Sequence, residues 1–389
     1  MTPSPRRARF GISVFFSTNG LMFVNVLPRY PEIKAAFDLS NATFGLLVAM
    51  LPLGAILASW LPAPLICRFG ALPVGLATTG LTATAMATVG LAAHVVVIGV
   101  ALLTAGFADA VTDSAQNVHG LRVEDYAGRS IINSLHAMWS LGAVSGGAMG
   151  AWAASQQIPL AVHLGTAGVT GMALACIGAA LSRLPASAGQ PAADQTPAPA
   201  PRLTRAMWLT LISLGLLATF GVAPEEVAFD WAALYLGSTV GTSAGVAGLG
   251  LVVLVSAQTI GRLLGDPATD RWGAASVLRA GGVLIVLGGL LVITTPTLPL
   301  VLIGFALAGF GCATAVPAVY AAAGRLPGLP EGAGIAITSW LLRLGFLALP
   351  PLVGLVSDAT SLRVALGVLS VSGVVVTVLA SRVGSGQRG

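Results

Sequence analysis

The run GRLLGDPATDRWG, Gly261–Gly273, gathers Arg262, Asp266, Asp270 and Arg271 into little more than three helical turns. Apolar sequence flanks it on both sides: LGLVVLVSAQTI ends at Ile260, and VLIVLGGLLVI begins at Val283. Charge confined to a short joint between two greasy stretches is the pattern of two membrane helices and their connecting loop. A shorter copy, CRFG at Cys67–Gly70, stands about half a chain earlier, so the two halves of the sequence echo each other.

The composition agrees. Of 389 residues, 56% are hydrophobic and only 8% charged, against about 25% charged in soluble domains. The mean hydropathy is +0.89. The apolar runs do not alternate as barrel strands would, so the fold class is an all-α membrane protein. Cutting at charges, prolines and loop-like clusters predicts twelve spans: 9–33, 41–67, 72–93, 95–119, 131–155, 158–182, 206–236, 243–266, 275–295, 298–323, 332–356 and 362–382. The N-terminal MTPSPRRARF looks like the basic start of a signal peptide. Asn19 and Asn25 interrupt the adjoining apolar run, and no small-residue cleavage site closes it, so it reads as an uncleaved first span.

One connection is long. LPASAGQPAADQTPAPAPRLTR, Leu184–Arg205, is rich in Pro and Ala and reads as a solvated linker. It divides the chain into 1–183 and 206–389, six spans each, joined by 184–205. With the N-terminus placed in the cytoplasm, 14 of the 19 cations fall on the cytoplasmic side. Only Arg29, Lys34 and Arg363 fall outside, and Arg262 and Arg343 lie within spans. Both termini and the linker are therefore expected in the cytoplasm. The pI near 9.6 is this topological bias, not the basic face of a nucleic-acid binder. Cys67, Cys176 and Cys312 are scattered and read as small buried hydrophobes.

On these residues the chain resembles the major facilitator superfamily along almost its whole length. The twelve-span layout, the long central loop and GRLLGDPATDRWG carry the resemblance. It implies two six-helix halves that alternate access to a site near the bilayer midplane. It also implies a cytoplasmic lock formed by Asp270 and Arg271. In the first half Arg68 remains, but Cys67 stands where the pattern has Asp, and Ala71 and Leu72 replace its basic pair. Within the superfamily, DSAQNVHGLRVEDYAGRSIINSLHAMWSLGAVSGG from Asp113 resembles the fucose-permease-like group of bacterial inner-membrane proteins. Asp113, Asn117 and Glu124 match it, as do EEVAFDW (Glu225–Trp231) and LPPLVG (Leu349–Gly354).

Ionisable groups at bilayer depth are expensive and usually mark a substrate or proton path. Asp109, Asp113, Gln116, Asn117 and Gly120 fall on one helical face of the fourth span. Asp113 and Asp109 are the predicted proton carriers there, with Glu225 and Glu226 on the seventh span. Asp230 is i,i+4 to Glu226. Pro224 is expected to open that helix, and Trp231 to serve the interfacial belt or a ligand. Arg343 on the eleventh span needs a counter-charge, expected from Glu225, Glu226 or Asp113, or else an acidic group of the substrate. Asn19, Asn25, Asn117, His136, Asp230, Trp231, Tyr320 and Arg343 form the predicted substrate-binding set. Arg68, Arg262, Asp266, Asp270 and Arg271 form the gating set, with Arg262 and Asp266 as a local i,i+4 pair.

GTSAG at Gly241–Gly245 fits a nucleophile pattern but sits between helices, so no enzyme is read from it. No metal-ligand spacing or phosphate loop occurs, and no cofactor is expected. The expectation is a secondary active transporter in the bacterial inner membrane, proton-coupled, moving a small polar or acidic metabolite or a sugar. A proton-driven drug or metabolite exporter is an alternative, and from another class, a transport-inactive receptor or scaffold. Expected partners are a small-molecule substrate, protons and the lipid bilayer, without nucleic acid. The chain is expected to be a monomer.

Overall fold

The computed structural model describes residues 4–128, 131–185, 204–295, 297–326, 329 and 333–384. The predicted linker lies almost wholly outside them. Every described element is helical. Among the described residues, eleven helical runs are long and apolar enough to cross a membrane. A further helix, Ile132–Ser155, has 24 residues and occupies the predicted fifth position. At 1.5 Å per residue it is about 36 Å long, enough to span.

Local sequence starts and stops these helices. Pro5–Val24 begins at Ser4, whose hydroxyl accepts from the Arg7 amide at 3.3 Å. The second half opens the same way: Thr204 caps Arg205–Tyr235 by accepting from Met207 at 3.3 Å. A hydroxyl at this position satisfies one of the orphan amides of the first turn. The fourth span runs from Val95 to Ala127, two turns beyond its predicted end, and stops where Gly128 turns left-handed. The two echoing loops share a conformation. Gly70 and Gly273 adopt φ of +85° and +77°, and each opens the next helix, Ala71–Leu91 and Ala274–Thr294. The arginine ahead of each lies over the neighbouring ring, Arg68 on Phe69 at 5.2 Å and Arg271 on Trp272 at 5.5 Å.

The expected opening at Pro224 does not occur. The seventh span runs through it to Tyr235 and ends in a π turn, Leu236–Val240. Proline inside a helix removes one backbone bond, and transmembrane helices tolerate this when their surroundings re-satisfy the freed group. Breaks occur elsewhere. The second span is Asn41–Val48 followed by Met50–Ala58. The eighth is Ala244–Ala247 followed by Leu249–Trp272. The first bends after Val24 through Leu27–Arg29 into Tyr30–Ala36.

The chain forms two compact units. The first holds the described residues of Met1–Asp38, Leu47–Asp194 and Ser243–Gly248. Its core packs Ile12, Phe15 and Phe16 against Val123, Leu135 and Ala175. The second holds the described residues of Leu39–Leu46, Gln195–Thr242 and Leu249–Gly389. There Leu214 and Leu217 pack against Leu278, Val319 and Leu342. Each unit leaves large apolar side chains exposed, such as Val100 and Val169 in the first and Leu263 and Val378 in the second. Outward-facing apolar residues on long helices suit lipid.

Candidate functional site

In the first unit the fourth span presents its acids as the i,i+4 spacing requires. Asn117 donates its side-chain amide to the Asp113 carbonyl at 2.9 Å and to the Asp113 carboxylate at 3.1 Å. Asp113 is exposed, Asp109 and Asn117 are half-buried, and both acids engage further groups. The predicted single polar face is divided, however. Gln116 is fully buried and donates to the Phe15 carbonyl at 2.7 Å, while Gly120 packs on Leu135 and Phe16. An arc close to 100° wide is broad enough for one edge to meet the first span while the other stays open.

Other polar groups of this unit are held by hydrogen bonds, an ion pair or ring contacts. His119 bonds the Ser182 carbonyl at 2.9 Å. His136 is exposed and sets its ring edge against Phe16, 5.7 Å away. Asn19 and Asn25 are buried, and both amide atoms of Asn25 lack a partner among the described residues. Glu124 accepts from the amides of Ile131 and Ile132, which anchors the start of the fifth span. Arg29 is only 1% exposed, although the charge count places it in an outer loop. It forms a bidentate pair with Glu32 at 2.6 and 2.7 Å, meets His163 Nδ1 at 3.1 Å and donates to the Ile158 carbonyl at 2.7 Å.

In the second unit the seventh span carries three acids with two kinds of surroundings. Glu225 is buried and receives the Gln258 amide at 2.7 Å and the Arg262 guanidinium at 3.6 Å. The same Gln258 nitrogen approaches Cys312 Sγ at 3.6 Å. The helix rotates about 100° to Glu226, which shares a face with Asp230 one turn on. Both are half-buried, and neither makes a hydrogen bond or ion pair among the described residues. Their Cβ atoms should lie about 5–6 Å apart by helical geometry.

The expected charge partnerships meet different outcomes. Arg262 reaches Glu225; the side chain of Asp266 lies outside the described residues. Arg343 is half-buried and pairs with no carboxylate among them. Register explains why it misses the seventh-span acids. Gly215 packs on Leu341 and Gly345 packs on Thr219, so the two helices run parallel with Arg343 level with residues 217–219. Glu226 stands seven to nine residues further along, roughly 10–13 Å of helix rise. Near Arg343, Ser339 donates to the Tyr320 hydroxyl at 2.9 Å. Trp231 serves no interfacial belt: it is 1% exposed, with Phe44 set edge-on to it at 5.3 Å. Asp270 and Arg271 form no ion pair among the described residues.

Sequence reasoning passes over Gln258 and Asp358. Gln258 is a polar residue inside an apolar run, one turn before Arg262, and that position is its signal. Asp358 lies in the last turn of its own helix, Ala333–Ala359, where the helix dipole disfavours an anion. A carboxylate at the unfavourable end implies a donor from elsewhere.

Long apolar helices in two units, with half-buried carboxylates and an arginine along them, define a multi-pass membrane protein. Residues 227–384 match the Major Facilitator Superfamily. The chain is 32% identical over 371 residues to an uncharacterized transporter of Sinorhizobium fredii, covering 95% of this chain and 96% of that one. It is 30% identical over 379 residues to an uncharacterized MFS-type transporter of Yersinia pestis, covering 95% of each. Among solved structures, the nucleoside transporter NupG has the same fold, with a TM-score of 0.73 at 15% identity over 98% of this chain and 99% of that one. The chain belongs to the Major Facilitator Superfamily. It is a secondary transporter, not an enzyme.

Proposed function

We propose that the protein is a proton-coupled transporter of a small polar solute, with a sugar or an acidic metabolite as the substrate class. One observation carries the coupling. Glu226 and Asp230 share a face of a membrane helix and have no cationic partner among the described residues. Two adjacent carboxylates out of bulk water need neutralising, and a proton is the smallest species that does it. Asp113, steadied by Asn117, gives the first unit a second candidate carrier. Arg343 holds its charge under all ordinary conditions and lacks a carboxylate partner among the described residues, which suits an anionic or hydrogen-bonding group on the solute.

The arginine bias supports cytoplasmic termini around halves 1–183 and 206–389, and the bacterial sources of the relatives support an inner-membrane location. A monomer suffices for this mechanism. The test is solute-driven proton uptake in proteoliposomes carrying a trapped pH dye, with solutes found by thermal shift at two pH values. Glu226→Gln should bind solute yet lose most proton movement. Wild-type proton flux in both Glu226→Gln and Asp113→Asn would remove the coupling proposal.

A further inference from the structure

The second and eighth spans are each interrupted close to where the chain passes from one compact unit to the other. Leu39–Leu46 packs in the second unit, and its helix breaks at Ala49. Ser243–Gly248 packs in the first unit, and its helix breaks at Gly248. Each span thus has a short arm seated in one unit and a longer remainder in the other. The two arms are held differently.

The arm from Asn41 to Val48 begins with four amides, and each has an acceptor. Ser40 supplies two: its hydroxyl accepts from Thr43 at 3.1 Å and its carbonyl from Phe44 at 2.9 Å. Asp358 supplies the other two. Its carboxylate oxygens accept from Asn41 at 2.9 Å and from Ala42 at 2.7 Å. A helix start leaves such amides unpaired unless something outside the helix accepts from them. Asp358 therefore sits between the unfavourable end of its own helix and the favourable end of another. Behind it the arm is close-fitting. Gly45 lies against the Pro350 carbonyl, Gly354 lies against the Asn41 carbonyl, and Phe44 is fully buried beside Trp231.

The reciprocal arm is seated by packing, on small residues and on Pro28. Gly245 meets Ser155, and Gly248 meets Ala151. Its Val246 and Ala247 amides donate to the Ser243 carbonyl at 3.0 and 2.9 Å, and among the described residues no carboxylate bonds to it.

We propose that Asp358 is a latch: its carboxylate holds the first two turns of the second span on the second unit, and its release governs how often that arm lets go during transport. The inference rests on the alternation of a transporter, not on proton coupling. Alternation moves the remainder of the second span with the first unit, so the arm must either leave its seat or bend at Ala49. A charge-assisted pair of bonds at the tip makes leaving the rarer event.

The test needs no solute, so its failure is distinct from failure of the coupling proposal. Full-length protein carrying Phe44→Cys is reacted in nanodiscs with a membrane-impermeant biotin maleimide, with Cys67→Ser and Cys176→Ser because these two thiols are exposed, not buried as expected, while Cys312 is buried. With Asp358 intact the reaction is slow, because the side chain at this position is buried. Asp358→Ala should speed it about tenfold, the loss expected from one hydrogen bond to a charged group. Asp358→Asn, which keeps an acceptor, should fall between. Equal labelling rates for Asp358 and Asp358→Ala would overturn the latch. If Phe44→Cys does not fold, hydrogen exchange of amides 44–48 is compared between wild type and Asp358→Ala. Several-fold faster exchange in the variant supports the latch, and unchanged exchange overturns it.

Discussion

Gln258 donates its amide nitrogen to the Glu225 carboxylate at 2.7 Å, while the amide oxygen of the same side chain has no partner among the described residues. The contact spans two helices and is almost wholly buried: Gln258 is 2% exposed and Glu225 8%. Arg262 contributes from the rim, at 3.6 Å with its side chain 42% exposed. Removing the buried donor should therefore matter more than removing the exposed charge. Gln258→Leu should cost about 1–3 kcal/mol, the usual penalty for stranding a buried acceptor. Arg262→Ala should cost about 1 kcal/mol or less. Thermal unfolding in detergent ranks the two, and the reverse order would show that Arg262, not Gln258, secures Glu225.

Arg29 makes a sharper case, because it is the most buried charge among the described residues of the first unit. Its fork holds Glu32 in two places and leaves further donors for His163 and the Ile158 carbonyl. Lysine carries the same charge but cannot reproduce a planar fork. Arg29→Lys should thus behave more like Arg29→Ala than like wild type. Breaking a buried pair by removing one partner typically costs about 3–5 kcal/mol. Glu32 is 40% exposed, so Glu32→Ala should cost less. A melting temperature for Arg29→Lys within a degree or two of wild type would argue against the fork geometry.

Legibility in the sequence tracks the range of the forces involved. A stretch of about 20 apolar residues is a local signal, so the helical spans can be read without knowing what they touch. The echo of CRFG and DRWG is an echo of conformation, since both glycines take the same positive φ and both arginines cap the adjacent ring. Partnerships between helices are not legible. An i,i+4 neighbour such as Asp266 is visible in one dimension, whereas the Glu225 that Arg262 reaches lies on another helix. Trp231 suits the membrane interface by residue type, and nothing in the sequence reveals that Phe44 covers it. Proline is the obvious place for a break, yet the seventh span continues through Pro224 while the second span breaks at Ala49. That break lies close to where the arm passes from one unit to the other, which only tertiary contacts disclose.

The unpartnered acids of the seventh span separate stability from function. At most positions, removing a charge from a helix that contacts its partners lowers stability. Glu226 and Asp230 contact no partner among the described residues and share one face a turn apart. Like charges at i,i+4 destabilise a helix by about 0.2–0.5 kcal/mol in water. Glu226→Gln and Asp230→Asn should therefore melt at or slightly above the wild-type temperature while losing coupled flux. Lowered stability in both variants would mean that these acids are structural and have partners.

The fourth-span pair admits the most discriminating experiment, a double-mutant cycle between Asp113 and Asn117. The amide donates to both the carbonyl and the carboxylate of the same residue, so part of any effect of Asn117 must pass through the acid. In wild type, Asn117→Leu removes the donor that orients the carboxylate and should reduce coupled flux several-fold. In an Asp113→Asn background the carboxylate is already gone, and Asn117→Leu should change flux little. The difference is the coupling energy, expected at about 0.5–3 kcal/mol for residues in direct contact. Additive effects within about 0.5 kcal/mol would mean that Asn117 acts independently, for instance by touching the solute itself. Asn117 would then belong to solute recognition and Asp113 alone to the proton path.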